Sequence, residues 1–263
     1  MRQCGGTVPL SMREMMRPFS ELVAEAQAAD VTGWGFGWLE GRAVEERPPW
    51  RYSEQLARRL AAVASAVDLD TGEGEVIAGV PTLPPTMVVT ETFPPNAARA
   101  RASLEPRGVR VIDADEDPLP LPDATFELVT SRHPVVPRWA EISRLLTPGG
   151  HYFAQHVGPA SAFELIEFFL GPQPENRLAR RPEIEAREAE EHGLVVEELR
   201  TARCRMEFFD VGAVVWILRK CPWWVPGFSV EEHLPRLTEL DEQMRRGEPF
   251  IAHSTRHLIV ARR

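Results

Sequence analysis

The stretch Ala-Val-Asp-Leu-Asp-Thr-Gly-Glu-Gly-Glu, residues 66–75, decides the fold. Its apolar start is typical of a buried strand, and Gly72 and Gly74 then let the backbone turn tightly and approach a ligand. Apolar residues follow at helical spacing over 76–80. A strand, a glycine turn and a helix in so short a span predict a nucleotide site at the carboxyl edge of a parallel sheet. Because short Gly-x-Gly loops are common, the prediction depends on the rest of the chain.

The composition is that of an ordinary globular protein, with 263 residues that are 43% hydrophobic and 26% charged. The net charge of −9 disfavours a protein that grips long nucleic acids, which usually carries a basic face. The three cysteines are far apart and have no Cys-x-x-Cys spacing, so we expect no disulfide framework and no metal site. The chain has no apolar run as long as a membrane span, and its start has no continuous apolar core as a secretory signal has. We therefore expect a cytoplasmic protein without membrane contact, either a monomer or a homodimer.

Residues 1–52 are predicted to form an N-terminal cap, followed by one domain over 53–263. The cap begins with an amphipathic helix over 11–29 and continues in a segment over 31–52 that is rich in glycine, proline and tryptophan. Aromatic side chains on such a segment can fold over a ligand as a lid, or they can anchor the segment in a small core of their own. Both interpretations stay open.

Helices and strands alternate after residue 53, as in a parallel α/β domain. The patterns predict helices over 53–65, 96–104 and 139–146, and strands over 66–70, 87–90, 109–112, 126–131 and 151–157. Glu91 ends the second strand, where nucleotide-binding folds place a carboxylate that accepts both ribose hydroxyls. A nicotinamide site is disfavoured because Ile77 stands where the third glycine of its motif belongs.

The last third of the chain predicts helices over 160–170, 182–191 and 230–244, and strands over 194–207 and 251–262. Residues 208–249 form an insertion between those two strands. Its aromatic content predicts a pocket for an apolar or flat substrate. A dimer interface or plain core would explain the same composition.

Four blocks make residues 53–157 similar to the class I S-adenosylmethionine-dependent methyltransferases of the type 11 kind. They are the glycine loop over 68–74, the acidic strand end at Glu91, the block over 115–126 that contains Leu-Pro-Leu-Pro-Asp, and the helix–Pro-Gly-Gly–strand unit over 141–153. The resemblance implies a Rossmann-like sheet of seven mostly parallel strands with helices on both faces and an antiparallel last strand. It also implies S-adenosylmethionine as the cofactor.

The resemblance implies a role for each matching position. Asp68 and the backbone of Gly72 and Gly74 would hold the methionine part, and Glu91 would hold the ribose. Asp115 and Glu116 would meet the adenine amino group. The floor beneath the reactive methyl would be formed by Ser131, Arg132 and His133. Tyr52 and Asp70 complete the predicted cofactor-binding set; Asp70 stands where the family usually has glycine and adds a negative charge beside the sulfonium.

The catalytic candidates are His133 and His156, which follow or end the two strands nearest to the expected acceptor. Either imidazole is suited to act as a base near neutral pH if the acceptor must lose a proton. Arg132 would instead orient an acidic substrate. We expect O- or N-methylation of a small molecule. The alternatives are a ribosomal RNA or other nucleic-acid methyltransferase and a regulator that binds the cofactor without catalysis.

Overall fold

The computed structural model describes residues 17–114 and 117–263, and these fall into two compact units. The sheet unit consists of Arg47–Ser161, Leu178–Arg203 and Thr255–Arg263. The aromatic unit consists of the described residues through Glu46, with Ala162–Arg177 and Cys204–Ser254. Both units are discontinuous in sequence. Their boundaries differ from the predicted division into a cap over 1–52 and a domain over 53–263.

The described residues contain eight strands and nine α-helices. The strands are β1 (Ala43–Glu45), β2 (Ser65–Leu69), β3 (Thr86–Glu91), β4 (Arg110–Asp113), β5 (Phe126–Arg132), β6 (Leu146–Val157), β7 (Val195–Phe208) and β8 (Phe250–Arg262). The helices are α1 (Phe19–Ala28), α2 (Tyr52–Leu60), α3 (Glu75–Ala78), α4 (Pro94–Leu104), α5 (Trp139–Leu145), α6 (Phe163–Leu170), α7 (Pro182–Glu191), α8 (Val211–Lys220) and α9 (Leu234–Arg245).

The sheet unit confirms the predicted fold class. Its strands follow the order β7-β8-β6-β5-β2-β3-β4, in which β6, β5, β2, β3 and β4 run parallel and β8 runs antiparallel to β6. An eighth strand was not predicted: β1 pairs with the Met206–Phe208 end of β7 within the aromatic unit. A strand of three residues inside a Gly/Pro-rich segment has too little alternation to be recognised.

Both faces of the sheet are covered, because neighbouring residues of a strand point to opposite faces. Ala66, Leu128, Phe153 and Leu258 pack with α2, α3 and α4 on one face, which we call the α2 face. Their sequence neighbours Val67, Val129, Tyr152 and Ile259 pack with α5 and α7 on the other, the α5 face. The near-continuous apolar strands that predict a parallel sheet are explained by this two-sided burial.

The aromatic unit packs α1, α8 and α9 around Trp216, whose ring stacks on that of Trp38 at 5.6 Å. Asp210 caps α8 by accepting a hydrogen bond from the amide of Ala213 at 2.8 Å. The predicted helix over 11–29 begins only at Phe19, after Pro18, and residues 11–16 lie outside the described part of the chain. Among the helices that the structure describes, none is long and apolar enough to cross a bilayer.

Candidate functional site

The carboxyl ends of β2, β3 and β5 meet at one edge of the sheet unit. Asp68 is in register with Thr130, and Leu69 with Ser131. On the other side, β3 ends in Glu91. The sheet therefore brings the predicted acidic residues and Ser131 to the edge where open α/β sheets bind ligands.

The glycine loop turns through three left-handed residues, Asp70 at φ 55°, Gly72 at φ 66° and Gly74 at φ 81°. Aspartate is one of the few side chains that visit this region readily, so the loop keeps its path without the usual glycine at position 70. Gly74 is required for a further reason: a Cβ there would lie 2.7 Å from Cδ1 of Leu104. The close approach at Gly74 is thus to helix α4.

Asp68 is 5% exposed and lies at the base of this loop. Its Oδ1 accepts a hydrogen bond from the hydroxyl of Thr130 at 2.5 Å. Burial raises the pKa of Asp68 to about 6, although the Thr130 bond acts in the opposite direction. Burial likewise raises the pKa of Asp70, and the charge of Arg138 opposes that shift. A cationic group bound at this edge would stabilise the ionised form of both carboxyls.

Glu91 is also 5% exposed and accepts the amide N–H of Phe93 at 2.8 Å. Burial raises its pKa, and backbone hydrogen bonds from Phe93 and Gly72 counteract that rise. Next to it, Asp113 pairs with Arg101 at 2.7 Å on the exposed end of β4. Asp115 and Glu116, which the sequence assigns to the adenine end, lie outside the described residues.

Two buried polar atoms close to this edge have no hydrogen-bond partner among residues 17–114 and 117–263. They are the amide oxygen and nitrogen of Asn96 in the first turn of α4. The buried hydroxyls of Thr71 and Ser131 lie beside Asp68 and Tyr152. Buried polar groups are normally satisfied, so atoms such as those of Asn96 are typical of a site completed by a ligand. Hydroxyls, an amide and carboxylates match the ribose, amino and carboxyl groups of S-adenosylmethionine, and the residues fit the cofactor that the sequence implies.

Tyr52 lies beneath Ser131 on the α2 face. Its hydroxyl donates to the carbonyl oxygen of Ser131 at 3.1 Å, and its ring stacks on Phe153 at 4.9 Å. Burial raises the pKa of Tyr52 well above its usual value, so it remains a neutral donor. Its observed contacts support the end of β5.

His133 follows β5 with φ 60°, and its backbone amide donates to the carbonyl oxygen of Gln155 at 2.7 Å. Nε1 of Trp50 can only donate, and it donates to Oε1 of Gln155 at 2.7 Å. The amide nitrogen of Gln155 must therefore be the donor to Nε2 of His133, at 2.9 Å. This chain of bonds fixes the tautomer: Nε2 accepts, and the neutral imidazole carries its proton on Nδ1.

Burial lowers the pKa of His133 well below its usual value, and the charges of Arg256 and Arg132 lower it further. A second proton on Nε2 would also meet the amide hydrogens of Gln155. The ring is thus a neutral hydrogen-bond donor at Nδ1, and its one lone pair is already used. Left-handed geometry at both Asp70 and His133 places backbone strain at the ends of two adjacent strands, as is common at functional sites.

The structure does not bring His156 to this group. Its ring lies on the α5 face, is 2% exposed, and uses both nitrogens: Nδ1 donates to Oε2 of Glu185 at 2.6 Å, and Nε2 accepts from the Tyr152 hydroxyl at 2.9 Å. Nε2 of His257 donates to the same Glu185 oxygen at 2.8 Å. Burial lowers the pKa of His156, whereas its bond to Glu185 favours the protonated form.

We call these three residues, His156, Glu185 and His257, the His–Glu–His cluster. The atoms of these residues that could bind a metal ion lie within 4.8 Å of one another. Among the described residues, this is the group of histidine, cysteine and acidic side chains that lie close enough together to hold such an ion. The expectation of no metal site was based on the spacing of the cysteines. That spacing carries no information about a cluster made of histidine and glutamate. The carboxylate is compensated by two N–H donors in the structure as it stands.

Sequence reasoning missed the residues that support His133 and those that enclose His156. Gln155 had a usable signal, as a polar residue inside an otherwise apolar strand end. Asn96 had one too, since it follows two prolines at a helix start. Glu185 had none, because it stands in a helix whose composition resembles a solvated face.

Comparison with known proteins adds the reaction class. Residues 67–154 match the family model described as a methyltransferase domain. No curated protein sequence matches the chain. Among solved structures, a Bacillus halodurans protein to which methyltransferase activity is ascribed superposes with a TM-score of 0.56 at 19% identity, covering 79% of this chain and 97% of that one.

A Deinococcus radiodurans protein of unknown function gives a TM-score of 0.57 at 16% identity, covering 86% of this chain and 93% of that one. The cyclase SpnF gives 0.50 at 15% identity, covering 81% and 80%. At these identities the likeness shows the fold. A cyclase among the neighbours illustrates that one fold hosts several reactions, so the family match carries the assignment of methyl transfer.

Proposed function

Because residues 67–154 match a methyltransferase domain, we propose that the chain uses S-adenosylmethionine to methylate a small molecule on oxygen or nitrogen. The observation that carries this proposal is the edge formed by β2, β3 and β5, where buried carboxylates, buried hydroxyls and the unpartnered amide of Asn96 accompany a left-handed glycine loop. Buried carboxylates and a net charge of −9 would repel the phosphate backbone of a long nucleic acid.

The cofactor roles proposed for individual residues follow the chemistry of the site. Glu91 is suited to accept the ribose hydroxyls, since a carboxylate accepts two hydrogens at once. Asp68 and the loop backbone are suited to the methionine part, and Oγ of Ser131 to a polar atom near the reactive end. The bound cofactor supplies a methyl group on a positively charged sulfur. Asp115 and Glu116 keep the adenine role that the resemblance implies.

The protein contributes position more than proton transfer in this proposal. Methyl transfer is a direct displacement, and holding two reactants in line can be worth about 7–11 kcal/mol in the best cases. His133 presents Nδ1–H as a donor, so it orients an acceptor that has a lone pair or a negative charge. His156 has both nitrogens engaged inside the sheet unit, and we assign it to stabilising the ends of β6 and β8.

Calorimetric titration with S-adenosylmethionine tests the proposal. We expect micromolar binding that Glu91→Gln weakens by at least about tenfold, because hydrogen bonds to a charged acceptor are worth about 1.5–3 kcal/mol. The matched control is Glu105→Gln, which removes an exposed carboxylate next to α4 and should bind normally. Absence of binding by the unaltered protein would refute the proposed site.

A panel of small amines, alcohols and acids, incubated with methyl-labelled cofactor, tests the acceptor class. Labelled small-molecule product supports the proposal. Methylation of RNA alone, with affinity that falls steeply as salt rises, would replace it with the nucleic-acid alternative.

A further inference from the structure

Two arginines of the sheet unit, Arg132 and Arg256, lie on the same face of the sheet as the His133 ring, and we call them the arginine group. Arg132 is in register with Gln155, and Arg256 with Val157, two residues further along β6. Registered neighbours, and residues two apart in a strand, point to the same face. Arg132 and Arg256 therefore lie on the α2 face at the sheet edge, where the His133 ring meets Gln155.

The charges of this group are available to a ligand to different degrees. Arg132 is exposed, and within the described parts of the chain it forms no ion pair. Arg256 is half-buried, and its guanidinium is held by Oγ of Ser161 at 3.1 Å and the carbonyl oxygen of Thr255 at 2.9 Å. After burial, the charges of Arg256 and Arg132 lower the pKa of His133. The site thus concentrates positive charge around a neutral donor in a protein whose net charge is negative.

An apolar surface follows directly in sequence. Val135 and Val136 come two and three residues after His133 and are 75% and 70% exposed. A single charged group beside exposed valines suits an acceptor that has an anionic end and an apolar body. Two guanidiniums match one carboxylate, whereas binding a nucleic acid takes contacts to several phosphates.

The protonation state of His133 further restricts the chemical class of the acceptor. The lone pair of His133 at Nε2 is engaged by Gln155, so the ring has no free base. A hydroxyl would need such a base, but a carboxylic acid is already ionised at neutral pH.

Resting on the proposed small-molecule function, we propose that the acceptor is a small carboxylic acid with an apolar body, held as its anion by the arginine group and His133 Nδ1–H, and that a carboxylate oxygen receives the methyl group. A lone pair of that oxygen forms the new O–CH3 bond. The methyl–sulfur bond breaks, and its electron pair goes to sulfur. No proton is transferred, and an anion and a sulfonium become a neutral ester and a thioether.

Binding of benzoate tests the anion site without turnover. The protein is saturated with S-adenosylhomocysteine and titrated at pH 7 with sodium benzoate and, separately, with benzyl alcohol, which has the same ring and no charge. We expect benzoate to bind at least about tenfold more tightly than the alcohol. Arg132→Gln should weaken benzoate binding by about tenfold and leave binding of the alcohol unchanged.

The matched control is Arg110→Gln, which removes an exposed arginine from strand β4, at the edge of the sheet unit farthest from β7. Equal affinity for benzoate and benzyl alcohol would overturn the proposal, as would an equal loss in the Arg110 variant. Arg132 and the control Arg110 are both exposed, so both variants are expected to fold.

An assay of methyl transfer distinguishes the proposed carboxylate acceptor from the more general proposed function, methylation of a small molecule. Carboxylic acids and their matched amines and alcohols are offered with methyl-labelled cofactor, and we expect a base-labile methyl ester. Label on amines or hydroxyls alone would overturn the carboxylate acceptor and leave the small-molecule methyltransferase standing. Failure to bind S-adenosylmethionine would instead refute the proposed function.

Discussion

Replacing Glu185 by glutamine removes the charge at the centre of the His–Glu–His cluster while keeping the shape of the side chain. In the structure, one carboxylate oxygen accepts from Nδ1 of His156 at 2.6 Å and from Nε2 of His257 at 2.8 Å. The amide oxygen of glutamine can accept the same two hydrogens. The variant therefore isolates the contribution of the negative charge.

Two lines of reasoning give the size of the effect. A hydrogen bond to a charged group is worth about 1.5–3 kcal/mol and a neutral one about 0.5–1.5, so two bonds lose about 2 kcal/mol together. Independently, the hydrogen bonds from the two histidines lower the pKa of Glu185 from 4.5 to about 2 although burial opposes this. At about 1.4 kcal/mol per pKa unit, that corresponds to about 3 kcal/mol. We expect the free energy of unfolding to fall by about 2–3 kcal/mol.

The effect has a defined pH dependence. Because the pKa of Glu185 is lower in the folded protein than in the unfolded chain, its stabilisation is fully present above about pH 4.5 and is lost as the pH falls towards 2. Burial lowers the pKa of His156, so the free energy of unfolding also falls as the pH drops below 6.5. This happens both in the Glu185→Gln variant and in the unaltered protein. The difference between the two proteins should therefore be no smaller at pH 5 than at pH 8, and should shrink below 4.5.

Urea unfolding followed by circular dichroism at pH 8, 5 and 4 measures this difference. Glu183→Gln is the control, since Glu183 is exposed two residues earlier on the same helix. It should change stability by less than about 0.5 kcal/mol. A loss of under 0.5 kcal/mol in the Glu185 variant, or one that vanishes between pH 8 and 5, would refute the reasoning.

Three further substitutions have expected outcomes. Gln155→Glu places an acceptor opposite Nε2 of His133, and the His133 pKa should rise by about one pH unit or more in a histidine NMR titration; no rise would contradict the assigned tautomer. Gly74→Ala should lower the free energy of unfolding by about 1–3 kcal/mol in thermal or urea unfolding, because residue 74 has φ 81° and its new Cβ would lie 2.7 Å from a leucine of α4. Gly79→Ala should change this free energy little, because its Cβ meets only ordinary contacts at 3.5 Å. Asp70→Gly should weaken the binding of S-adenosylmethionine at least about threefold more than the binding of neutral S-adenosylhomocysteine in calorimetry, because it removes a negative charge that we propose lies near the sulfonium. Equal losses of affinity for the two ligands would show that Asp70 does not lie near the sulfonium.

The sequence predicted the sheet unit well because its signals are local. The strand at 66–70, the glycine loop and the acidic residue Glu91 each combine a periodic pattern with residues of special backbone or charge. Boundaries were less accurate in the aromatic unit: the helix expected over 230–244 begins at Leu234, and the apolar run at 208–218 is helix α8 from Val211. The run at 208–218 is apolar on nearly every side, so its periodicity does not distinguish a helix from a strand.

The two histidines show what local signals leave out. Both His133 and His156 stand near strand ends, and the sequence gives them the same chemistry. Strand β6 separates them, because residues 155 and 156 point to opposite faces. Gln155 therefore meets His133 on the α2 face, while His156 meets Glu185 on the α5 face, where both nitrogens of its ring are hydrogen-bonded. Since Phe153 packs with Tyr52 and Tyr152 with Trp139, the same alternation decides which helices each residue faces. Only one side of β6 can thus serve the candidate site, and the other side is committed to holding α7 on the sheet.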